Sequence, residues 1–592
     1  MLYPQMNRCR TVIDLSGFWE IKVDPENRGE PEQWMNGFEP DALIAVPGSW
    51  NEQLAELGLM NYIGKIWYQK QFQIPQALAN HQLYIRFGSA DHHARVWLNG
   101  EFLGEHFGGY LPFEFDMSAH IKKNQPNLLV VSVDNTLTHD TIPQGVTAED
   151  YQAFHRQRYQ TFPPTVFDFF PYGGIHRPVK IIALQPHHIE YVRIQTNIIG
   201  NKGLINFQVQ FSGQAESTQL KITIWDRQRK LLETNYGLQE NLLEGALEIP
   251  DCQFWSHEHP FLYRMQLELF ENAKLIDEYE LEVGVREIEV TEQGLLINGQ
   301  PLFLKGFGKH EDFAVIGKGL LPPLIVKDFQ LMKWIGANSF RTSHYPYAEE
   351  ILQMADRLGF YVIAETPAVS LNFSFANQKT LDSHRRALIE LIQRDQNHPS
   401  VIAWSLANEP GIWGEPEANA EQADQYWAEL FALAKKLDPT RPLTLPTFPR
   451  WKDKDVVYKY CDFVSINRYW GWYEIPGEID RAGEVLREEL IQLFERYHKP
   501  ILVSEFGADT VEGLHATYPQ LFTEEYQTDL IQKYFDIIES LPFAIGEHIW
   551  NFADFRTAQH FRRVVLNKKG VFNRQREPKA AAFFIREHWN RK

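Results

Sequence analysis

The sequence predicts a multidomain chain of β plus α/β class, two β-sandwiches in succession followed by a (β/α)8 barrel. Three observations carry this. At about 100 to 200 residues per domain, a chain of 592 residues calls for several domains, with barrels and sandwiches lowering the number. Up to about residue 285, strand-length runs are separated by turns. Beyond that point similar runs alternate with helix-length amphipathic segments.

Residues 1–183 read as the first sandwich. In ARVWLNGEFLGEH, Ala94, Val96 and Leu98 alternate before Asn99-Gly100, which marks a hairpin turn. Residues 184–285 contain further strands, LINFQVQF and YRMQLELF among them, at spacings suited to a second, smaller sandwich. Residues 286–592 contain eight apolar runs: PLFLKGFGKHED, ANSFRTSHYP, GFYVIAETP, SVIAWSLANEP, PLTLPTF, CDFVSINRYWG, PILVSEFGAD and AIGEHIWNFADF. Between the fourth and fifth, Trp427, Leu430, Phe431, Ala434 and Leu437 share one helical face. Eight strands with intervening helices match a (β/α)8 barrel.

Composition narrows the function classes. Hydrophobic residues make up 44% and charged residues 23%, which excludes disorder, collagen and coiled coil as global descriptions. Lys+Arg 58 against Asp+Glu 77 leaves a net charge of -19, which repels polyanions and disfavours nucleic acid as a partner. An aromatic share of 14% suits clefts that cover the apolar faces of sugars. Cys9, Cys252 and Cys461 are far apart and lack CxxC spacing, so buried free thiols are expected rather than a disulfide scaffold or cysteine metal site. The N-terminal stretch has no continuous apolar run, no membrane span is legible, and a cytoplasmic enzyme is the expectation.

The C-terminal ends of the eight barrel runs collect polar and aromatic residues, and that end of a barrel is its reactive face. His310, Glu311, His344, Glu365, Asn408, Glu409, Asn467, Tyr469, Glu505, Trp550 and Asp554 all fall there. Glu409 closes the fourth run and Glu505 the seventh, nearly opposite each other across the mouth. Acetal hydrolysis needs a proton donor for the departing oxygen and a carboxylate at the anomeric carbon, and two glutamates supply both without a cofactor. His310 and Glu311 have metal-like chemistry, but two adjacent residues cannot enclose an ion, so a hydrogen-bonded rim is expected and no metal is called for.

The motifs PGSWNEQ, VWLNG, FFPYGGIHR, GFGKHED, RTSHYPYAEE, NHPSVIAWSLANEP, NRYWGWY, VSEFGADT, IWNFADF and NKKG run through nearly the whole chain. Together they resemble glycoside hydrolase family 2, and within it the β-glucuronidases. The resemblance implies a jelly-roll sugar-binding domain, an immunoglobulin-like sandwich and a catalytic TIM barrel. It implies Glu409 as acid/base and Glu505 as nucleophile, acting with retention at a separation of about 5 to 5.5 Å. The Glu409 pKa is then raised while Glu505 stays ionised. By the same resemblance Asn408 bonds the sugar 2-hydroxyl, Tyr469 positions the nucleophile, and Trp550 stacks on the sugar face. His344 and Asp168 resemble hydroxyl ligands, Asp168 bringing the first domain into the site.

Behind the eighth run lies a basic cluster, Arg562, Arg563 and then Asn567-Lys568-Lys569-Gly570. In an extended loop Asn567 and Lys569 point one way and Lys568 the other. This matches the Asn-x-Lys signature by which the family reads a uronate carboxylate. Bonds to charged groups contribute about 1.5 to 3 kcal/mol each. A neutral hexoside is expected to leave Lys569 buried and unpaired. Arg563 aligns with an arginine the family uses near substrate, Arg562 does not, and Tyr473 adds a bond to the carboxylate.

The implied activity is exo-acting retaining hydrolysis of small or oligosaccharide β-glucuronides, by a homo-oligomer of which the family offers tetramers. The passage from the third run to its helix is short where some relatives insert a long active-site loop, so a more open mouth is expected. Other family 2 activities, such as β-galacturonidase or β-galactosidase, and a non-catalytic carbohydrate-binding protein remain as alternatives.

Overall fold

The computed structural model describes residues 2–78, 80–145, 147, 161–213, 218–411, 416–448 and 456–591. The first sandwich pairs a six-stranded antiparallel sheet with a four-stranded one. In the larger sheet the central strand Asn127–Asp134 lies between Lys65–Phe72 and His93–Leu98. Inward residues such as Ile66, Tyr68, Val96, Val131 and Ile181 are buried, as period-2 alternation requires. The Asn99-Gly100 turn takes φ of +55° and +91°, the conformation a two-residue hairpin needs and that Asn and Gly adopt at least cost. The last strand of this sandwich, Val179–Leu184, leads directly into the second one.

The second sandwich packs a three-stranded sheet on a four-stranded one, with Ile205, Phe207, Leu220, Ile222, Met265 and Leu267 between them. It is anchored to the barrel by the buried Arg286, which donates to the carbonyls of Pro399 (3.1 Å) and Val401 (2.7 Å). Residues 2–10, read with the first sandwich, fold back here instead. The Arg10 guanidinium pairs with Asp277 at 2.6 Å, and Leu2 packs on this core.

The eight runs each become a parallel barrel strand: Leu304–Gly308, Ser339–Arg341, Tyr361–Glu365, Val401–Ser405, the split fifth strand Leu443–Thr444 and Pro446–Thr447, Val464–Asn467, Ile501–Glu505 and Ala544–Ile549. Their buried order closes the cylinder. The helix Pro416–Leu437 buries Trp427, Leu430, Phe431 and Ala434, the face expected from the spacing. Below the strands, Leu295 and Ile297 of a small three-stranded sheet (residues 288–302) pack on Leu304, Tyr361, Ile402, Leu502 and Ile545, closing the floor. The three cysteines are free, but only Cys461 is fully buried; Cys9 and Cys252 lie in half-buried positions against the second sandwich, a correction to the expectation for all three. Among the described residues no helix is long and apolar enough to cross a membrane.

Candidate active site

The polar residues at the strand ends converge on the barrel mouth, each held by a neighbouring strand. Glu505 ends the seventh strand and is buried. Its Oε2 accepts from the Tyr469 hydroxyl at 2.6 Å, and its Oε1 accepts a short bond from Arg341 Nη2. Arg341, the last residue of the second strand, has no exposed surface and also donates from Nη1 to both oxygens of Glu365 (3.0 and 2.8 Å). One guanidinium therefore holds two buried carboxylates. Burial alone would raise the Glu365 carboxyl, but Arg341, then His344 and Ser405, hold it below the usual range.

Glu409 stands four residues beyond the end of the fourth strand with φ of +47°. A non-glycine residue in this left-handed region carries strain of order 1 to 2 kcal/mol, here kept at a site residue. Its Oε1 accepts from Asn467 Nδ2 (2.8 Å), and the same amide donates to Asn408 Oδ1 (3.0 Å). Asn467 is held in turn by Ser504, whose hydroxyl donates to its Oδ1 at 2.8 Å. Burial and the nearby charge of Glu505 push the Glu409 carboxyl up to about 8, against the Asn467 bond and two arginines. At neutral pH Glu409 thus carries a proton beside a carboxylate met by two donors. Burial, then the Glu505 charge, also raises the Tyr469 phenol well above its usual value, so it remains a neutral donor.

His344 donates from Nδ1 to Glu365 Oε1 (2.8 Å) and stacks on Trp550, with ring centroids 5.0 Å apart. Its Nε2 lies 3.8 Å from Glu505 Oε1. Phe169 of the first sandwich packs on the rings of His310 and His344. His310 Nδ1 is 3.2 Å from the Tyr345 hydroxyl, while Glu311 accepts from Arg177 (3.1 Å) and from the Ala348 amide (3.0 Å). Both therefore serve the rim. Among the described residues no group of three or more His, Cys, Asp or Glu could hold a metal ion.

The loop behind the eighth strand builds the other wall. Leu566–Asn567 pairs with Phe555–Arg556, and Val565 takes φ of +69° at the turn into it. Asn567 and Lys569 are both fully buried. Lys568 points away toward Asp554, 3.6 Å distant, the alternation expected of an extended segment. The Lys569 ammonium lies 4.7 to 5.7 Å from the ring centroids of Tyr473, Trp472 and Tyr469, and donates to the Tyr473 hydroxyl at 2.9 Å. Arg563 donates from Nε to Asp168 Oδ1 (3.1 Å), from Nη1 to Asp509 Oδ2 (3.0 Å) and from Nη2 to Tyr473 (2.9 Å). Asn567 Nδ2 donates to Asp168 Oδ2 at 2.8 Å, so the first sandwich closes one side of the site.

All eleven residues expected at the site form one continuous cluster, its two halves joined where the Tyr469 and Tyr473 rings meet at 5.1 Å. One expectation is corrected. Lys569 is not left unpaired without a sugar, because Asp509 accepts a short bond from its ammonium. Asp509 and Arg341 were missed altogether, and Glu365 and Asn467 were noted at the mouth without a role. The first two lie within motifs already quoted, SEFGADT and ANSFRTSHYP, where a charged residue at a buried strand end was the available signal.

Comparison with known proteins matches residues 12–185 to the glycosyl hydrolases family 2 sugar binding domain, 187–286 to glycosyl hydrolases family 2, and 288–592 to its TIM barrel domain. A beta-glucuronidase of Paenibacillus borealis is 39% identical over 100% of this chain and 98% of that protein. One from Canis lupus familiaris is 37% identical over 100% and 92%. Among solved structures, a beta-glucuronidase from an uncultured Clostridium sp. superposes with a TM-score of 0.91 at 39% identity, covering 100% of this chain and 99% of that one. The beta-glucuronidase of Ruminococcus gnavus in complex with D-glucuronic acid gives 0.91 at 35% identity, with coverage of 100% and 99%.

Proposed function

The chain belongs to glycoside hydrolase family 2, and from that membership and the site geometry we propose that it is a retaining, exo-acting β-D-glucuronidase. The observation that carries the sugar assignment is the buried Lys569, caged by rings and flanked by Asn567 and Arg563, and linked to Glu505 through the Tyr473 and Tyr469 side chains. A C5 carboxylate suits that wall, since it can accept from an ammonium and an amide at once.

In this reading Glu409 gives its proton to the glycosidic oxygen while Glu505 attacks the anomeric carbon, its lone pair directed by Arg341 and Tyr469. A covalent glycosyl-enzyme forms as the aglycone leaves. Glu409, now a carboxylate, takes a proton from water, which attacks the same carbon and frees Glu505. Asn408, its Oδ1 occupied by Asn467, offers its amide N–H to the 2-hydroxyl. Trp550 and His344 form the floor under the ring, and Asp168 meets its hydroxyls. No cofactor takes part in the cycle.

The aglycone side supports activity on large substrates. Residues 366–377, between the third strand and the helix Gln378–Asp395, are tied down at both ends: the Ser370 amide donates to the Asn408 carbonyl (2.8 Å) beside Glu409, and further on Gln144 accepts from the Asn372 backbone amide (2.9 Å) and Asn377 donates to Asp140 (2.8 Å) of the first sandwich. We infer that this opens the mouth to glucuronide-capped oligosaccharides, and that the enzyme works in the cytoplasm as a homo-oligomer. Turnover of para-nitrophenyl β-D-glucuronide against the β-D-glucoside and β-D-galacturonide tests the activity. Labelling by a 2-fluoro glucuronosyl fluoride, followed by peptide mass analysis, tests retention. A label on any residue but Glu505 would refute the assignment.

A further inference from the structure

A fully buried ammonium is costly unless a negative charge stays beside it when no sugar is bound. For Lys569 that charge is Asp509, four residues beyond Glu505 and 2% exposed. Asp509 Oδ2 accepts from Lys569 Nζ and from Arg563 Nη1 (3.0 Å), while Oδ1 accepts from the Lys568 amide (2.9 Å). Burial alone would raise its carboxyl, but Lys569 and then Arg563 hold it below the usual carboxylate range.

The charges in this wall balance before a sugar arrives, Arg563 and Lys569 against Asp168 and Asp509. An ammonium has three N–H groups. One of those of Lys569 goes to Asp509 and one to the Tyr473 hydroxyl, so the two acceptors set the direction of the third. The backbone of the loop has staples of its own. The Gly570 amide donates to Asp554 (3.0 Å), the Asn551 amide to the Lys569 carbonyl (3.0 Å), and Lys579 Nζ to the Lys568 carbonyl (2.9 Å). The bonds peculiar to Asp509 are those to the two cations, since its one backbone bond, from the Lys568 amide, adds to staples the loop has without it.

Resting on the uronide reading above, we propose that Asp509 is a specificity-determining positioning residue, which acts through Lys569 by pairing with its ammonium and aiming its remaining N–H at the sugar carboxylate. It touches no substrate atom itself. Its place four residues after the nucleophile, in the segment leaving the seventh strand, keys carboxylate recognition to the position of Glu505.

A double-mutant cycle tests this. The unaltered chain is first assayed on para-nitrophenyl β-D-glucuronide and β-D-glucoside; equal turnover of the two overturns the uronide reading, and this inference with it. Given a uronide preference, Asp509→Asn is expected to lower uronide kcat/KM about tenfold or more, through KM, and by under about twofold in a Lys569→Met background. Equal losses in both backgrounds, or a loss carried by kcat, would overturn the proposal while leaving the uronide reading intact. If Asp509→Asn alone does not fold, the double variant, lacking both charges, is expected to fold and to melt close to Lys569→Met. A double variant that also fails to fold would assign Asp509 a purely structural role.

Discussion

Tyr469 and Glu505 are joined by a 2.6 Å hydrogen bond, and Arg341 occupies the other oxygen of the same carboxylate. The phenol fixes the rotation of the carboxylate at little entropic cost, because it is itself buried between strands. Tyr469→Phe removes one bond to a charged acceptor, of about 1.5 to 3 kcal/mol, and should lower kcat about tenfold to a hundredfold. Steady-state kinetics on the uronide measures this; an unaltered kcat would deny the phenol its role.

The raised carboxyl of Glu409 sets the pH behaviour. As a proton donor near 8, it should give kcat/KM an alkaline limb centred near that pH, absent from Glu409→Gln, whose remaining activity would be confined to activated leaving groups. Stability follows the opposite interest. From the usual 4.5 to about 8 the folded chain keeps a proton that the unfolded chain has released, so stability falls as pH rises through that window. Glu409→Gln should therefore be the more stable protein at pH 8, by about 4 kcal/mol, with the difference vanishing by about pH 4. Melting curves of both proteins across that range decide the matter.

Removing the uronate grip should separate the two sugars. Lys569→Ala takes away a buried, charge-assisted partner and should cost uronide kcat/KM a factor of about 30 to 1,000. Whatever glucoside turnover the parent has should fall far less. Parallel losses on both substrates would show Lys569 to be a scaffold residue.

Arg341 is predicted to dominate local stability. Arg341→Leu strands Glu365 and Glu505 in a buried place without a cation, at a cost of about 3 to 5 kcal/mol. Thermal unfolding would reveal it, and a variant melting at the parental temperature would argue against the double bridge.

The barrel was legible because strand and helix periods differ, and the runs from PLFLKGFGKHED to AIGEHIWNFADF kept their order in space. Glu409 and Glu505 were legible because each stands at or just past the end of a buried strand, where an ionisable side chain needs a reason, and the Asn567-x-Lys569 pair because it resembles a family signature behind the eighth strand. Asp509 and Arg341 were not. Their importance lies in which carboxylate meets which cation at separations of 24 to 164 positions, and no local spacing encodes that. The return of residues 2–10 to the second sandwich escaped for the same reason, since Arg10 and Asp277 are 267 positions apart.

The small sheet of residues 288–302 covers the lower end of the barrel, which leaves the strand ends at the mouth as the side that receives a sugar. In the proposed cycle substrate then arrives and product departs on that one side. The water that finishes such a turnover would come in through space the departing half of the substrate has just vacated.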